Sequence, residues 1–203
     1  MTGKPRGIYL CHNFCELGAT PFDEVQHEFR SFLTERPNEV VILIIEDYVT
    51  PAETAEAFAA AGLADRVWTH SPGESWPTLG EMIATGRQIL VFPEHQGPPP
   101  AWYHPAYDSF EETPYTFRDI SEFNCEPKRG GTGRELFLLN HWLNTGSPDL
   151  RAAEAANQRE VLQARVDACR ERRGRIPNLI AVDCYDQGDL LAVVADLNGV
   201  EPA

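Results

Sequence analysis

Side chains that could do acid–base chemistry follow five short apolar runs in the sequence. Such runs are typical of strands buried on both faces of a parallel sheet. The carboxyl ends of parallel strands converge on one crevice, so the polar residues after them are predicted to form one site. The runs and their polar residues are Gly7–Cys11 with His12 and Asn13, Val40–Ile45 with Glu46 and Asp47, Ile89–Phe92 with Glu94 and His95, Leu136–Leu139 with Asn140 and His141, and Leu179–Val182 with Asp183.

Helical patterns lie between these runs. Apolar residues at helical spacing, proline near the start and glycine after the end predict five helices. Four of them are Pro21–Arg36, Pro51–Ala61, Leu150–Arg173 and Asp189–Leu197, and the fifth follows a loop in the stretch Trp76–Ile83 and ends near Gly86. Alternating strands and helices predict an α/β fold with a parallel sheet and right-handed crossovers. Five strands fit either a small open sheet or most of a barrel that normally needs eight strands and roughly 250 residues.

The segment from Gly97 to Gly133 has no clear period but is rich in aromatic residues. A connection of this length is usually functional or contains further elements. Its aromatic side chains either face a membrane surface or pack down over the sheet.

The 203 residues carry a formal net charge of −14, with 17 Lys and Arg against 31 Asp and Glu. We expect one domain over residues 1–203. The charge argues against nucleic acid as a partner and against a broad electrostatic grip on anionic membranes. No apolar run is long enough to span a bilayer, and the residues before the first strand lack the apolar core of a signal peptide.

Several motifs resemble the PLC-like phosphodiesterases, the superfamily that contains the X domain of phosphatidylinositol-specific phospholipase C. The similar stretches are Leu10-Cys11-His12-Asn13-Phe14-Cys15, Pro37-Asn38-Glu39-Val40-Val41, Trp76-Pro77-Thr78-Leu79-Gly80-Glu81-Met82-Ile83 and Phe137-Leu138-Leu139-Asn140-His141. They occur in the family order, and the resemblance covers nearly the whole chain.

The resemblance implies an irregular TIM-type (β/α) barrel that cleaves phosphodiesters by attack of a neighbouring hydroxyl, with two histidines as base and acid. His12 matches the general acid, a role that suits imidazole. Glu46, 34 residues later, matches a catalytic-site glutamate that binds calcium in calcium-dependent members. We expect Glu46 to face the site and Asp47 to face solvent. The expected contacts to a phospholipid or phosphorylated polyol are Asn13, Glu94, Asn140, His141, Asp183 and Tyr185.

The sequence departs from the family pattern before Gly7, where the strand with the first catalytic histidine is expected. This predicts a domain that lacks its N-terminal strands. We expect this chain to turn over a substrate weakly or not at all. Unpaired sheet edges would favour an oligomer. We expect only transient contact with a membrane surface, and a secreted or extracellular full-length form.

Other assignments stay open on the sequence alone. The chain is either a phospholipase C-type hydrolase, a non-catalytic relic that binds a phosphorylated polyol or a protein, or a metal-dependent phosphodiesterase acting on glycerophosphodiesters or sphingolipids.

Arg129 either contacts a phosphate or is an ordinary charged residue of a loop. Cys11 and Cys15 are expected as a structural disulfide or as buried thiols, because no base partner for a nucleophile is evident.

Overall fold

The strand and helix pattern of the sequence is largely present in the computed structural model, which describes residues 7–11, 15–16, 18–146 and 149–201. The chain divides into two compact units, the first ending at Ala106 and the second beginning at Tyr107. The prediction of a single domain over residues 1–203 stays a prediction, and each unit is described by itself below.

Within its described residues the first unit contains four strands and three helices, with a short 3-10 helix at Ala64–Arg66. In chain order these are β1 (Tyr9–Leu10), β2 (Thr20–Pro21), α1 (Phe22–Glu35), β3 (Val41–Ile45), α2 (Pro51–Ala60), α3 (Leu79–Thr85) and β4 (Ile89–Pro93). β3 and β4 are parallel, with Val41 opposite Ile89 and Ile45 opposite Pro93. All five residues of β4 are buried, and the core of the unit lies between this strand, α1 and α2.

The first strand differs from the prediction of a buried parallel strand. β1 has two residues and pairs antiparallel with β2, Tyr9 opposite Pro21 and Leu10 opposite Thr20. The backbone N–H of Phe22 donates to the Ile8 carbonyl at 3.0 Å, which joins this hairpin to the start of α1. Leu10 is 40% exposed, because a two-stranded hairpin covers only part of its own apolar side chains.

Two helix starts in the first unit are set by capping boxes. The Thr50 hydroxyl accepts a hydrogen bond from the Glu53 N–H, and the Glu53 carboxylate accepts one from the Thr50 N–H. Thr78 and Glu81 form the same reciprocal pair at the start of α3. Each pair satisfies two backbone donors that a helix end would otherwise leave unbonded. The bonds from the threonines lower the pKa of both glutamate side chains.

The second unit holds a three-stranded parallel sheet in the order β5-β6-β7. Its elements, with α4 (Ala106–Ser109) at the boundary, are β5 (Phe110–Glu112), a 3-10 helix at Ile120–Glu122, β6 (Leu136–His141), α5 (Leu150–Ala156), α6 (Arg159–Arg173), β7 (Leu179–Val182) and α7 (Leu190–Asn198). β6 packs against α6 and α7 through a core that includes Phe137, Leu139, Leu162, Val166 and Val193.

The mixed α/β class is therefore confirmed, whereas the barrel is not. In the described residues the strands pair as two sheets of two strands and one of three, and none of these closes on itself. The segment 97–133 contains α4 and β5, and its residues Tyr103, Phe110 and Phe117 are buried. These aromatic side chains thus pack into the protein.

Candidate functional site

The carboxyl end of β3 borders a cavity in the first unit. The backbone N–H of Glu94 donates to the Ile45 carbonyl at 2.8 Å, so Glu46 and Glu94 leave their strands side by side. The cavity has a volume of about 540 Å³. Its polar wall includes Glu46, Asp47 and Tyr48, and its apolar wall includes Phe22, Phe29, Leu43 and Ile45.

Glu46 and Asp47 follow β3 and differ in exposure. Glu46 is exposed and accepts a hydrogen bond of 2.5 Å from the Tyr48 hydroxyl. That bond is the main reason why the pKa of Tyr48 is raised, with further contributions from burial and from the charges of Glu46 and Glu94. Asp47 is only 4% exposed, so the expectation that it faces solvent is wrong. Its Oδ1 accepts the backbone N–H of His95, a bond that draws the carboxylate inward.

His12 and Asn13 lie outside the described residues, so their predicted roles stay predictions. The described residue Cys11, which directly precedes His12, lines the cavity, as does Cys15. The two cysteines form a disulfide, which confirms the disulfide alternative for this pair. Cys11, Cys15 and Glu46 therefore line the same cavity.

The residues around Glu46 do not by themselves make a metal site. Among the described residues, no group of three or more His, Cys, Asp or Glu side chains is placed to hold a metal ion. Calcium usually takes six to eight oxygen ligands, and Glu46 shares one oxygen with Tyr48. Calcium binding at Glu46 therefore stays a prediction.

The carboxyl ends of β5 and β6 carry a second polar cluster, which lies wholly within the second unit. Glu112 is fully buried and is bonded to the Arg129 guanidinium, Nε to Oε1 at 2.5 Å and Nη2 to Oε2 at 3.0 Å. Asn140 Nδ2 donates to Glu112 Oε2 at 3.0 Å and to the Thr113 carbonyl at 2.7 Å. Asn140 is thus a buried partner of the carboxylate that holds Arg129.

Arg129 presents part of its side chain to solvent while the rest is tightly held. The guanidinium carbon lies 4.3 Å from the Tyr107 ring centroid and 4.7 Å from that of Tyr115. Its side chain is 34% exposed, although its partner Glu112 is not exposed at all. A guanidinium fixed by a bidentate carboxylate and two aromatic rings is preorganised for a further anion or hydroxyl.

Asp183 and Tyr185 follow β7 in a loop that Asn157 organises. Asn157 Nδ2 donates to the carbonyls of Asp183, Cys184 and Gln187 at 3.0, 3.4 and 3.1 Å. Tyr185 is 71% exposed and Asp183 is half-buried. Glu94 is half-buried as well. Their proposed contacts with a substrate stay predictions.

His141, the last residue of β6, is fully buried, with Nε2 2.8 Å from the Ala156 carbonyl. Its pKa is lowered from 6.5 to about 4, mainly by burial and also by the nearby charge of Arg165, against the opposing effect of the Ala156 carbonyl. At neutral pH the imidazole is therefore uncharged, and its ring packs at 4.6 Å from Phe123. In the described structure His141 contacts the protein interior.

The buried His141 predicts a loss of stability in mild acid. The unfolded chain binds the proton below pH 6.5, and the folded chain binds it only below a pKa of about 4. Stability from this group is therefore present above pH 6.5 and is lost as the pH falls toward 4, by about 3 kcal/mol over the whole range. Urea unfolding at several pH values should show this slope, and His141→Gln should flatten it. An equal slope in the variant would contradict the assignment.

The sequence alone did not identify Glu112 as the residue that holds Arg129, or Asn157 as the residue that holds the loop after β7. It also left two roles open for Arg129. Glu112 lies in a segment without periodicity, and Asn157 lies inside a pattern that reads as one long helix. The sequence offers one signal for Glu112, which is the Glu111-Glu112 pair beside aromatic residues. Consecutive carboxylates in an apolar stretch become buried only when cationic side chains pair with them.

The arrangement so far is that of an α/β protein with polar side chains at the carboxyl ends of parallel strands. The family model described as PI-PLC X 1 matches residues 2–198. The chain therefore belongs to the PI-PLC X domain family, as its motifs indicate. No helix in the described ranges is long and apolar enough to cross a membrane.

Three relatives show how far the similarity extends. The chain is 29% identical over 217 residues to PI-PLC X domain-containing protein 1 of Arthroderma benhamiae, covering 96% of this chain and 70% of the relative. It is 28% identical to an uncharacterized secreted protein of the same organism, over 95% of this chain and 50% of the relative. It is 26% identical to a PI-PLC X domain-containing protein of Arabidopsis thaliana, over 95% of this chain and 49% of the relative. The chain thus spans about half the length of the last two relatives. No solved structure matches it.

Proposed function

We propose that this chain is a phosphoric diester hydrolase of the phosphatidylinositol phospholipase C type. The observation that supports the proposal is the cavity in the first unit, which is lined by the strand-end residue Glu46 and by Cys11, the residue before His12 in the sequence. Family membership supports the assignment. An irregular TIM-type barrel and a secreted location belong to the same proposal, the latter supported by a relative named as a secreted protein.

In the proposed reaction, a hydroxyl of the polyol attacks the adjacent phosphorus and the bond to the leaving alcohol breaks. His12 protonates the leaving oxygen as general acid, a contribution that is typically worth 10²–10⁴-fold in rate. Calcium, where it is bound, would neutralise phosphate charge. Glu46 is the residue of this chain proposed to contact it.

A second candidate function, binding without turnover, is favoured by Arg129. Its partly exposed guanidinium sits between Tyr107 and Tyr115 and is fixed by buried Glu112. Such a group suits a phosphate or vicinal hydroxyls. Binding of a phosphorylated polyol at this cluster in the second unit needs none of the residues proposed for catalysis.

Turnover of phosphatidylinositol vesicles, with calcium and with chelator, separates the two functions. The hydrolase predicts release of a cyclic inositol phosphate and a loss of at least about 100-fold in His12→Ala. Dependence on calcium would show as loss of activity in chelator. Turnover that is equal in the wild type and in His12→Ala would contradict the role of His12.

Binding is measured in parallel by calorimetry with myo-inositol 1-phosphate. Arg129→Lys keeps the charge and removes the bidentate geometry. We expect about tenfold weaker binding, because one charge-assisted hydrogen bond is lost. Arg151→Lys, at an exposed position on α5, is the matched control. Saturable binding that depends on Arg129, with no turnover under any condition, would support the binding function and overturn the hydrolase.

A further inference from the structure

A groove on the second unit contains a buried arginine that lacks a counter-ion. The groove is lined by residues between 120 and 126 and by one face of α6, and its volume is about 600 Å³. We propose that it binds a free aliphatic monocarboxylate, with the carboxylate at Arg165 and the hydrocarbon chain along the groove. Among the described residues, none lines both this groove and the cavity at Glu46. The inference therefore does not rest on the proposed hydrolase function.

The guanidinium of Arg165 is held in place but is not fully hydrogen-bonded. Arg165 is only 5% exposed. Its Nη2 donates to the Asn124 carbonyl at 3.1 Å and to the Thr113 hydroxyl at 3.5 Å. Its Nε and Nη1 are buried and have no hydrogen-bond partner in the part of the chain that the structure describes. Buried donors of a charged group are costly to leave unbonded, so a ligand that bonds to these two nitrogens would gain affinity from them.

The positive charge of Arg165 is also unbalanced. Within the described ranges no carboxylate forms an ion pair with it, whereas Arg172, the other arginine of the groove, is paired with Glu126 at 2.7 Å. Burial lowers the pKa of Arg165 to about 10, so the group is still charged at neutral pH. Buried charges in proteins are normally paired, because removal from water is costly without a counter-ion. An anion in the groove would supply that counter-ion.

Two aromatic rings hold the guanidinium in one position. Its central carbon lies 4.6 Å from the ring centroid of Phe117 and 4.2 Å from that of Phe123. These cation–π contacts offset part of the cost of burying the charge, but they provide no hydrogen-bond acceptor for Nε and Nη1. Phe123 also lines the groove, so the same ring contacts both the arginine and the space that the ligand would fill.

The rest of the lining favours an anion with an apolar body. The volume lies within the range of small-molecule sites, roughly 300–1,000 Å³. Burial of each CH₂ group of a ligand against apolar side chains adds to its affinity. The apolar side chains that line the groove include Ile120, Phe123, Val161, Ala164 and Ala168.

The remaining charges of the groove favour a single negative charge on the ligand. Besides Arg165, the charged lining residues are Glu126, Glu171 and Arg172, which together carry one negative charge. They would repel a second negative charge on the ligand. A carboxylate on a hydrocarbon chain therefore matches this groove better than a phosphate dianion does. A carboxylate also accepts short, charge-assisted hydrogen bonds from a guanidinium.

Calorimetric titration of the full chain with octanoate tests the inference. 1-Octanol has the same chain without the charge, and butanoate has the same charge on a shorter chain. We expect saturable binding of octanoate at one site. 1-Octanol should bind at least about tenfold more weakly because it makes no charge-assisted bond, and butanoate should do so because it buries fewer CH₂ groups.

A matched pair of variants on α6 assigns the binding to Arg165. Arg165→Met keeps an apolar stem and removes the guanidinium, so we expect octanoate to bind at least about tenfold more weakly. Arg170→Met is the same substitution at an exposed position of α6 outside the groove, and it should bind octanoate as the wild type does. Replacing an unpaired buried charge by an apolar side chain should lower the melting temperature little.

A second variant tests the groove without changing the arginine. Ala164 is exposed and lines the groove, so the indole of Ala164→Trp would fill the space of the hydrocarbon chain. We expect this variant to lose octanoate binding and to remain folded, which keeps the test valid if Arg165→Met is unstable.

Several results would overturn the inference. These are the absence of saturable binding of octanoate to the wild type, unchanged binding in a folded sample of Arg165→Met or of Ala164→Trp, and equal affinities for octanoate and 1-octanol. Tighter binding of inorganic phosphate than of octanoate would overturn the choice of ligand. None of these titrations measures turnover, so each of these results leaves the proposed hydrolase function as it is.

Discussion

Gly130→Ala is expected to destabilise the protein by about 3 kcal/mol, as overpacking against rigid backbone does. A Cβ at this position would lie 2.2 Å from the Phe110 carbonyl oxygen and 3.0 Å from the Glu111 Cα. Both atoms belong to the backbone of β5, which is paired with β6, so the new methyl group cannot be accommodated by a side-chain rotation. Gly130 also has φ +76°, a conformation that costs alanine roughly 1 kcal/mol.

The damage should reach Arg129 because its segment is bonded to the same strand. The Lys128 N–H donates to the Glu112 carbonyl at 3.0 Å, and the Glu112 N–H donates to the Arg129 carbonyl at 3.1 Å. Displacing Gly130 would stretch these bonds. Binding of myo-inositol 1-phosphate at Arg129 should therefore weaken together with stability.

The adjacent glycine provides the control. Gly131 has φ +70°, but a Cβ there would meet nothing within 4 Å. Gly131→Ala should cost only the roughly 1 kcal/mol of the backbone conformation. Urea unfolding of both variants gives the comparison, and equal losses in the two would show that the contact with Phe110 is not the cause.

Elements whose signals are local could be predicted from the sequence. The β-branched run before Glu46 predicted β3, and the Ala-rich stretch from Pro51 to Ala61, stopped by Gly62, predicted α2. Each depends on residues within four positions of one another, so a single sequence is sufficient.

Elements that depend on distant partners could not be predicted. β5 contains two acidic residues, and both are buried because cations far along the chain neutralise them. Glu111 is 2.9 Å from Arg173 Nη1, and Glu112 is bonded to Arg129. The predicted helix Leu150–Arg173 is likewise divided at Asn157, whose side chain bonds to carbonyls beyond β7. No local pattern reveals such bonds.

Only part of the candidate site could be predicted from the sequence, because its other contacts also depend on distant partners. Strand ends identified Glu46, Glu94 and Asn140 as neighbours of other polar groups, because parallel strands align their carboxyl ends. Asp47 was wrongly expected to face solvent, since its burial depends on a hydrogen bond from the backbone of His95, 48 residues away. The alternation of side chains between the two faces of a strand ends at its last residue, so it does not predict which of the residues after β3 are buried.

Removal of the Cys125–Cys169 disulfide is expected to cost about 4 kcal/mol, from the chain entropy released by opening a loop of this length. The two cysteines are separated by 44 residues and both are buried in the core of the second unit. The bond ties the segment after the 3-10 helix Ile120–Glu122 to α6, and the same segment bonds to α6 through the Cys125 carbonyl and Arg173. A paired replacement, Cys125→Ala with Cys169→Ala, removes the crosslink without leaving a lone thiol.

The other cysteines make this prediction specific. Cys11 and Cys15 are separated by four residues, so opening their bond should cost only about 2 kcal/mol by the same entropy argument. Cys184 is free, and Cys184→Ala should change stability by less than about 0.5 kcal/mol, as ordinary substitutions outside the core do. Guanidinium unfolding of the three variants should give losses in the order Cys125/Cys169, Cys11/Cys15, Cys184. Because the order depends only on loop length, a larger loss for Cys11/Cys15 would mean that the short loop supports structure beyond its own five residues.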